Sequence, residues 1–331
     1  MEIALYIVYL VVGFVFLIKG ADYFVVSSSS IARKFNVSPL IIGLTLVAFG
    51  TSLPELAVSF AASLSAKAQG TTADIAMGNV IGSNIANLTL ILGCSAIMMP
   101  IAVKKSMMKK EFPYLIAVTI IISILSFFFQ SDASIVWWEA IILLLLFGYY
   151  MVMMLKSHQD AEDVEKIPLV NPKKAIWLLV IGLAGVSLGG FLVTAGAEYI
   201  AIELLVTAFS MTMTRATTLV GLSVVALGTS LPELVTSVVA AKKGENEIAL
   251  GNVVGSNVFN TVFIVGISGI VTTLGINGDV LIDTVILIFI TLITVWFAFT
   301  GYKISKKEGY GLIFIYVAYI IYIVLRALNH F

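Results

Sequence analysis

The sequence predicts an all-α polytopic membrane protein, with ten transmembrane helices in two inverted-topology five-helix repeats. Three observations carry the prediction. The 331-residue chain is 60% hydrophobic and only 11% charged, where a soluble chain carries about a quarter charged residues. Apolar stretches of about 20 residues, the length of a membrane-spanning helix, recur from end to end. Gly-Thr-Ser-Leu-Pro-Glu-Leu also occurs twice inside such stretches, at residues 50–56 and 228–234.

Hydropathy places the first span at about Ile3 to Val26. It lacks a basic flank before it, so it reads as a span and not as a cleavable signal. The second, about Leu40 to Ser65, is interrupted near Pro54, because proline removes a backbone donor from the helical ladder. The third, about Ala73 to Met99, is rich in Gly and Asn. The fourth runs from about Phe112 to Phe129 and the fifth from about Ile135 to Leu155. A polar linker, residues 157–174, separates a first unit (1–156) from a second (175–331). Its acidic stretch, Asp160 to Glu165, is read as solvated linker, with Ca²⁺ sensing as the alternative. The sixth span covers about Ala175 to Leu205. The seventh covers about Leu219 to Ala241 and is interrupted near Pro232. The eighth to tenth cover about Ile248 to Leu274, Val280 to Thr300 and Gly311 to Leu328.

With these spans, all but Lys19, Lys67, Arg215 and Arg326 of the 19 basic residues fall in connections on one side. Positive charge marks the cytoplasmic side, so both termini are expected outside the cell membrane and the linker in the cytoplasm. Lys19 either snorkels or pairs with Asp22.

Residues 43–63 align without gaps on residues 221–241, with 13 of 21 positions identical, and residues 75–93 on 248–266, with 11 of 19 identical. Five spans per unit is an odd number, so the second unit enters the membrane with opposite polarity. Inverted repeats of this kind are common among secondary transporters, whose interrupted helices meet near the bilayer midplane. Packing alone accounts for the repeated glycines, but not for Glu55 and Glu233, since intramembrane carboxylates are costly and rare.

The motif Ser52-Leu53-Pro54-Glu55 has capping-box spacing, as does Ser230 to Glu233. The helix is therefore expected to stop near Gly50, unwind and restart at Ser52, freeing carbonyls around Ala48, Thr51, Ala226 and Thr229. A hard cation such as Ca²⁺ takes six to eight oxygens. The two glutamates, those carbonyls and the hydroxyls of Thr51, Ser52, Thr229 and Ser230 can supply them. Zinc would call for His or Cys, and neither Cys94 nor His158 and His330 is placed for it. Ser83 and Asn87 share a helix face, as do Ser256 and Asn260. They are read as further ligands, against interhelical hydrogen bonding as the plainer role.

At this point the chain resembles a known family. The paired Gly-Thr-Ser-Leu-Pro-Glu and Gly-Asn-Val-x-Gly-Ser-Asn motifs are similar to the α-repeats of the cation/Ca²⁺ antiporters, in particular the prokaryotic Na⁺/Ca²⁺ exchangers. The resemblance implies alternating-access exchange of Ca²⁺ for Na⁺. It implies that Glu55, Glu233, Thr51 and Thr229 hold Ca²⁺. It also implies that Ala48, Ser52, Ser83, Asn87, Ala226, Ser230, Ser256 and Asn260 form Na⁺ or neighbouring sites. Several exchangers of the family carry Asp at one or both positions matching Asn87 and Asn260, whereas this chain has Asn at both. That argues against a K⁺-dependent exchanger and leaves two formal negative charges. If three Na⁺ replace one Ca²⁺, one net positive charge moves and exchange is electrogenic.

A Ca²⁺/H⁺ antiporter of the same superfamily is the nearest alternative, although its motif has Asn where this chain has Thr51 and Thr229. A cation channel is a weaker one. No catalytic motif points to an enzyme, no cofactor is expected, and a net charge of zero gives no sign of nucleic acid. The expected partners are Na⁺, Ca²⁺ and membrane lipid, with the chain functional as a monomer.

Overall fold

The computed structural model describes residues 2–128, 133–156, 170–209, 211–213, 216, 220 and 226–329. Among the described residues, the regular structure is helical apart from four two-residue strands. In chain order the main helices are α1 (Glu2–Lys34), α2 (Pro39–Thr51), α3 (Leu53–Gln69), α4 (Asp74–Met98), α5 (Glu111–Phe128), α6 (Trp137–Lys156) and α7 (Pro172–Thr207). After them come α8 (Ala226–Thr229), α9 (Leu231–Lys242), α10 (Asn246–Val271), α11 (Gly278–Phe299) and α12 (Lys306–Asn329). Among the described residues, eight helices are long and apolar enough to cross a membrane, or nine if the bent pair α2 and α3 is one span. The predicted seventh span lies partly outside the described residues, and the acidic stretch of the linker, Asp160 to Glu165, lies wholly outside them.

The predicted interruption is present, in a sharper form than expected. Between α2 and α3 the axis bends by 47° at a single residue, Ser52. Proline at the second position of α3 fits the chemistry, because the amide it lacks is one that a helix start leaves unpaired anyway. The second copy breaks the same way, at Ser230 with Pro232 in the first turn of α9.

Among the described residues, three helices also widen into π turns, at Gly43–Val47 in α2, Asn87–Ile91 in α4 and Phe259–Ile264 in α10. A π turn inserts one extra residue and re-aims every side chain beyond it.

The helices α4 and α10 are the most enclosed, and α10 is buried on every side from Ile248 to Val258. Their small residues make this possible. A Cβ at Gly251 would sit 2.7 Å from the Leu40 carbonyl oxygen, so only glycine lets α10 and α2 approach backbone to backbone. The long helices α1 and α7 pack along each other in the same manner, with Gly20 against the Val186 amide. Their apolar outer faces are exposed, as befits lipid contact.

Two short antiparallel ladders join the loops. The strand β1 (Ile101–Ala102), after α4, pairs with β4 (Lys303–Ile304), before α12. The strand β2 (Ser134–Ile135), before α6, pairs with β3 (Leu274–Gly275), after α10. On the basic face the α9–α10 turn is tied down by ion pairs. Lys243 meets Asp22 at 2.7 Å, Arg33 meets Glu245 at 3.6 Å, and Lys104 meets Glu247 at 2.7 Å. Asp22 thus pairs with Lys243, the C-cap residue of α9, and not with Lys19.

Candidate functional site

The two helix breaks face each other, and each serine reaches across to the opposite glutamate. The Ser52 hydroxyl donates to Glu233 Oε1 at 2.9 Å, and the Ser230 hydroxyl donates to Glu55 Oε1 at 3.1 Å. Residues 175 and more apart in sequence are thereby brought to one point. Glu55, Glu233, Ser52 and Ser230 are all fully buried.

This arrangement corrects the expected capping box. Neither Ser52 nor Ser230 caps its own helix with its side chain. The Ser52 amide is satisfied by the Ala48 carbonyl at 3.0 Å, so it does not need Glu55 to reach back. The glutamate and serine are free to act across the interface. The same bond keeps the break short, with the expected unwound segment confined to Ser52. Ala48 O already accepts from the Ser52 amide and lies 3.4 Å from the Thr51 hydroxyl. The second break is tighter, with the Ser230 amide bonded to Leu227 O three residues back.

Two asparagines hold the breaks in place. Asn79 Nδ2 donates to Glu55 O at 3.3 Å and to Ser59 Oγ at 3.0 Å. Its counterpart in the sequence repeat, Asn252, donates to Glu233 O at 3.5 Å and to Ser237 Oγ at 2.9 Å. Each amide clamps the first turn of the helix that carries the glutamate. Spacing within one helix gives Asn79, Ser59 and Ser237 no role at the site. The available signal was their identity in both copies, which spacing alone did not connect across two helices.

The second asparagine does more. Its Oδ1 lies 3.0 Å from the Thr51 hydroxyl, so Asn252 also links α10 to the end of α2. Thr51 lies within reach of Glu233 as well. Thr229 is half-buried at the end of α8. Ala226 begins α8, and its side chain is outside the described residues.

From α4, Ser83 sits against Glu55. Asn87 lies at the start of a π turn and Asn260 lies within one, and Ser83, Ser256, Asn87 and Asn260 are all buried. Among the described residues, several of these buried atoms have no hydrogen-bond partner. They are Glu55 Oε2, Glu233 Oε2, Ser256 Oγ, Asn260 Oδ1 and both amide atoms of Asn87; Ser83 Oγ lacks strict hydrogen-bond geometry. An orphaned buried polar group costs about 1–3 kcal/mol, and a charged one more. So many in one place would be expensive if they served packing alone.

Asn260 owes its orientation to a neighbour. Its Nδ2 donates to Asn84 Oδ1 at 3.2 Å, while Asn84 Nδ2 donates to Thr261 Oγ1 at 2.8 Å. The repeat counterpart of Asn84, Asn257, instead donates to the Val253 carbonyl of its own helix.

Oxygen is the shared chemistry: carboxylates, hydroxyls and amide carbonyls, in a shell shielded from lipid. Such a set suits a hard cation that prefers several oxygen ligands. The donors in this set are oxygens of two carboxylates, hydroxyls and amides, with no His or Cys among those named here.

Comparison with known proteins agrees with this chemistry. A family model described as sodium/calcium exchanger protein matches residues 5–156 and 174–325. The chain is 39% identical to the sodium/calcium exchanger MaX1 of Methanosarcina acetivorans, over 94% of this chain and 96% of that protein. It is 36% identical to the putative antiporter CaxA of Alkalimonas amylolytica, over 80% of each. The fold matches a solved structure of the sodium-calcium exchanger NCX_Mj soaked with Na⁺ and Sr²⁺. The TM-score is 0.80 at 34% identity, over 96% of this chain and 98% of that one.

Proposed function

This chain belongs to the sodium/calcium exchanger family, and from that premise we propose that it is an antiporter that moves Ca²⁺ against Na⁺ through one central, oxygen-lined site. The observation that carries the reading is the reciprocal pair of hydrogen bonds, Ser52 to Glu233 and Ser230 to Glu55. They hold two buried carboxylates together with one oxygen of each left unpartnered. Two carboxylates balance one divalent cation.

In this reading Glu55, Glu233, Thr51 and Thr229 hold Ca²⁺ as substrate. Ser52, Ser83, Asn87, Ser230, Ser256 and Asn260, with the backbone at Ala48 and Ala226, form Na⁺ or neighbouring sites. Ca²⁺ and Na⁺ compete because both draw on the same two negative charges. With Asn at 87 and 260, exchange of three Na⁺ for one Ca²⁺ carries net charge.

The fold is read as ten spans in two inverted five-helix units, 1–156 and 175–331, joined by a cytoplasmic linker, with both termini outside. Ladder pairing supports it. The loop after the third span pairs with the loop before the tenth, and the loop before the fifth with the loop after the eighth. In a ten-span chain each ladder then joins two loops on one side of the membrane, and the two ladders lie on opposite sides. A monomer contains both halves of the site, so no partner copy is needed to complete it.

The test is ion-swap transport. Purified protein in Na⁺-loaded vesicles is expected to accumulate Ca²⁺ when outside Na⁺ is removed, and an inside-negative potential set by K⁺ and valinomycin should slow that uptake. Uptake driven by a pH gradient and indifferent to Na⁺ would replace this reading with Ca²⁺/H⁺ exchange. Steady Ca²⁺ conductance without a counter-ion would replace it with a channel.

A further inference from the structure

Apart from those that reach across to another helix, as Ser52 and Ser230 do, hydroxyl groups inside these helices fall into two sets. Most bond back to the carbonyl four residues earlier: Thr45, Ser63, Thr119, Ser123, Thr284 and Thr291 all do so. This is the usual way a membrane helix satisfies a hydroxyl at no cost to packing. A smaller set, among the described residues, has no partner at all although fully buried. It consists of Ser28, Ser95, Thr236, Ser256 and Ser268, of which Ser95 and Ser268 form a repeat-related pair outside the central site.

Ser95 and Ser268 occupy equivalent positions in the sequence repeat, each eight residues after Asn87 or Asn260. In a regular helix, eight residues would turn the side chain about 80° away from the asparagine. Here a π turn begins at Asn87 and another spans Asn260. The Leu92 amide bonds to Asn87 O, and the Val265 amide to Asn260 O, each five residues back. One inserted residue makes the separation equivalent to seven, which falls about 20° from two whole turns. Ser95 therefore stands below Asn87, and Ser268 below Asn260, roughly 11 Å along the axis.

The neighbours agree. Gly93 faces Gly309 and Ile313 of α12, and Gly266 faces Ala140 and Leu144 of α6. Each serine, two positions on, lies about 200° round the helix from that contact. α4 beyond its π turn also packs on α9, the helix of Glu233, and α10 beyond its π turn packs on α3, the helix of Glu55. Ser95 lies near the end of α4 that leads to the basic loop, and Ser268 near the opposite face, beside β3.

We propose that Ser95 and Ser268 are cation-coordinating stations outside the central site, one on each half of the ion path. Each offers a hydroxyl oxygen to Na⁺ or Ca²⁺ as the ion exchanges water for protein ligands. The proposal rests on the exchange reading above. It explains why two buried hydroxyls in equivalent positions forgo the backbone bond that their neighbours make, and why a π turn precedes each.

The test uses a Cys94→Ala parent, so that no native thiol interferes, in sealed membrane vesicles of both orientations. Ser95→Cys replaces a hard oxygen by a soft sulfur at nearly constant volume, and sulfur favours Cd²⁺. Cd²⁺ is expected to inhibit Na⁺-driven Ca²⁺ uptake at a concentration about tenfold lower than in the parent, from the basic-loop face only. Ser268→Cys should show the same gain from the other face only. In parallel, Ser95→Ala and Ser268→Ala should each raise KM for Ca²⁺ about fivefold on one face, opposite faces for the two, without changing equilibrium Ca²⁺ binding by the purified protein. Parent-like Cd²⁺ sensitivity from both faces, or KM unchanged on both, would overturn the stations while leaving the exchanger intact. A parent that shows no Na⁺-dependent uptake would overturn both readings. Thermal unfolding of the purified Ala variants within a few degrees of the parent separates lost stations from lost folding, and a folded variant with symmetric KM changes on the two faces would also reject the proposal.

Discussion

The two helix breaks have the same sequence, yet they are not held in the same way. Around Glu55 and Glu233 the serine cross-bonds and the asparagine clamps are mirrored almost bond for bond. Beyond that shell the symmetry stops. Asn252 also reaches Thr51, and the backbone at Ser230 closes one residue tighter than at Ser52. Asn84 bridges to Asn260 and Thr261, whereas Asn257 bonds only to its own helix. The difference separates what a shared charge requires from what each half adds. Balancing one divalent cation needs both carboxylates equally. Positioning the neutral ligands need not be equal, and here each half supplies one asparagine bond that its counterpart lacks, Asn252 to Thr51 and Asn84 to Asn260.

The largest expected effect tests the symmetric part. Glu55→Gln and Glu233→Gln should each abolish Ca²⁺ uptake, more than a hundredfold, since each removes half the charge that balances the ion and a hydrogen-bonded carboxylate contributes several kcal/mol. Substantial uptake by either variant in vesicles would break the single shared site. Next come Ser52→Ala and Ser230→Ala. Each removes a hydrogen bond to a charged group, about 1.5–3 kcal/mol, and so should raise KM for Ca²⁺ roughly tenfold or more, by the same factor in both. A clear inequality would show that the mirrored bonds are not equivalent in function.

The asymmetric part predicts smaller, unequal effects. Asn252→Ala should cost more than Asn79→Ala, because it loses the link to Thr51 as well as the clamp. The extra loss of about 1 kcal/mol should appear both in the unfolding midpoint and as a further rise of several-fold in KM. Equal losses would mean that the Thr51 contact carries no weight. Smallest of all, Asn84→Ala should weaken Na⁺ competition several-fold by releasing the Asn260 amide, while Asn257→Ala should leave it nearly unchanged. This is read from the Na⁺ concentration that halves Ca²⁺ uptake. A larger effect at Asn257 would reverse the assignment of sides.

Taken alone, the sequence determined that the chain belongs in a membrane, because its composition leaves no other solvent for so much apolar surface. It also located the two glutamates and marked where the helices break, because a carboxylate and a proline violate simple local rules that need no partner to be noticed. That Ser83 and Asn87 share one helix face, and Ser256 and Asn260 another, was legible from helical spacing. Only the tertiary structure decided which serine serves which glutamate. Capping-box spacing pointed each Ser to its own helix, but the Ser52 amide already has the Ala48 carbonyl, so the hydroxyl turns to Glu233 instead. Only the tertiary structure shows that Asn79 and Asn252 brace the breaks from neighbouring helices, or that π turns bring Ser95 and Ser268 into line with Asn87 and Asn260. Local propensity is written residue by residue, whereas hydrogen bonds between helices depend on how the helices are placed. In lipid that placement is set by close glycine contacts and by polar groups that have no water to turn to.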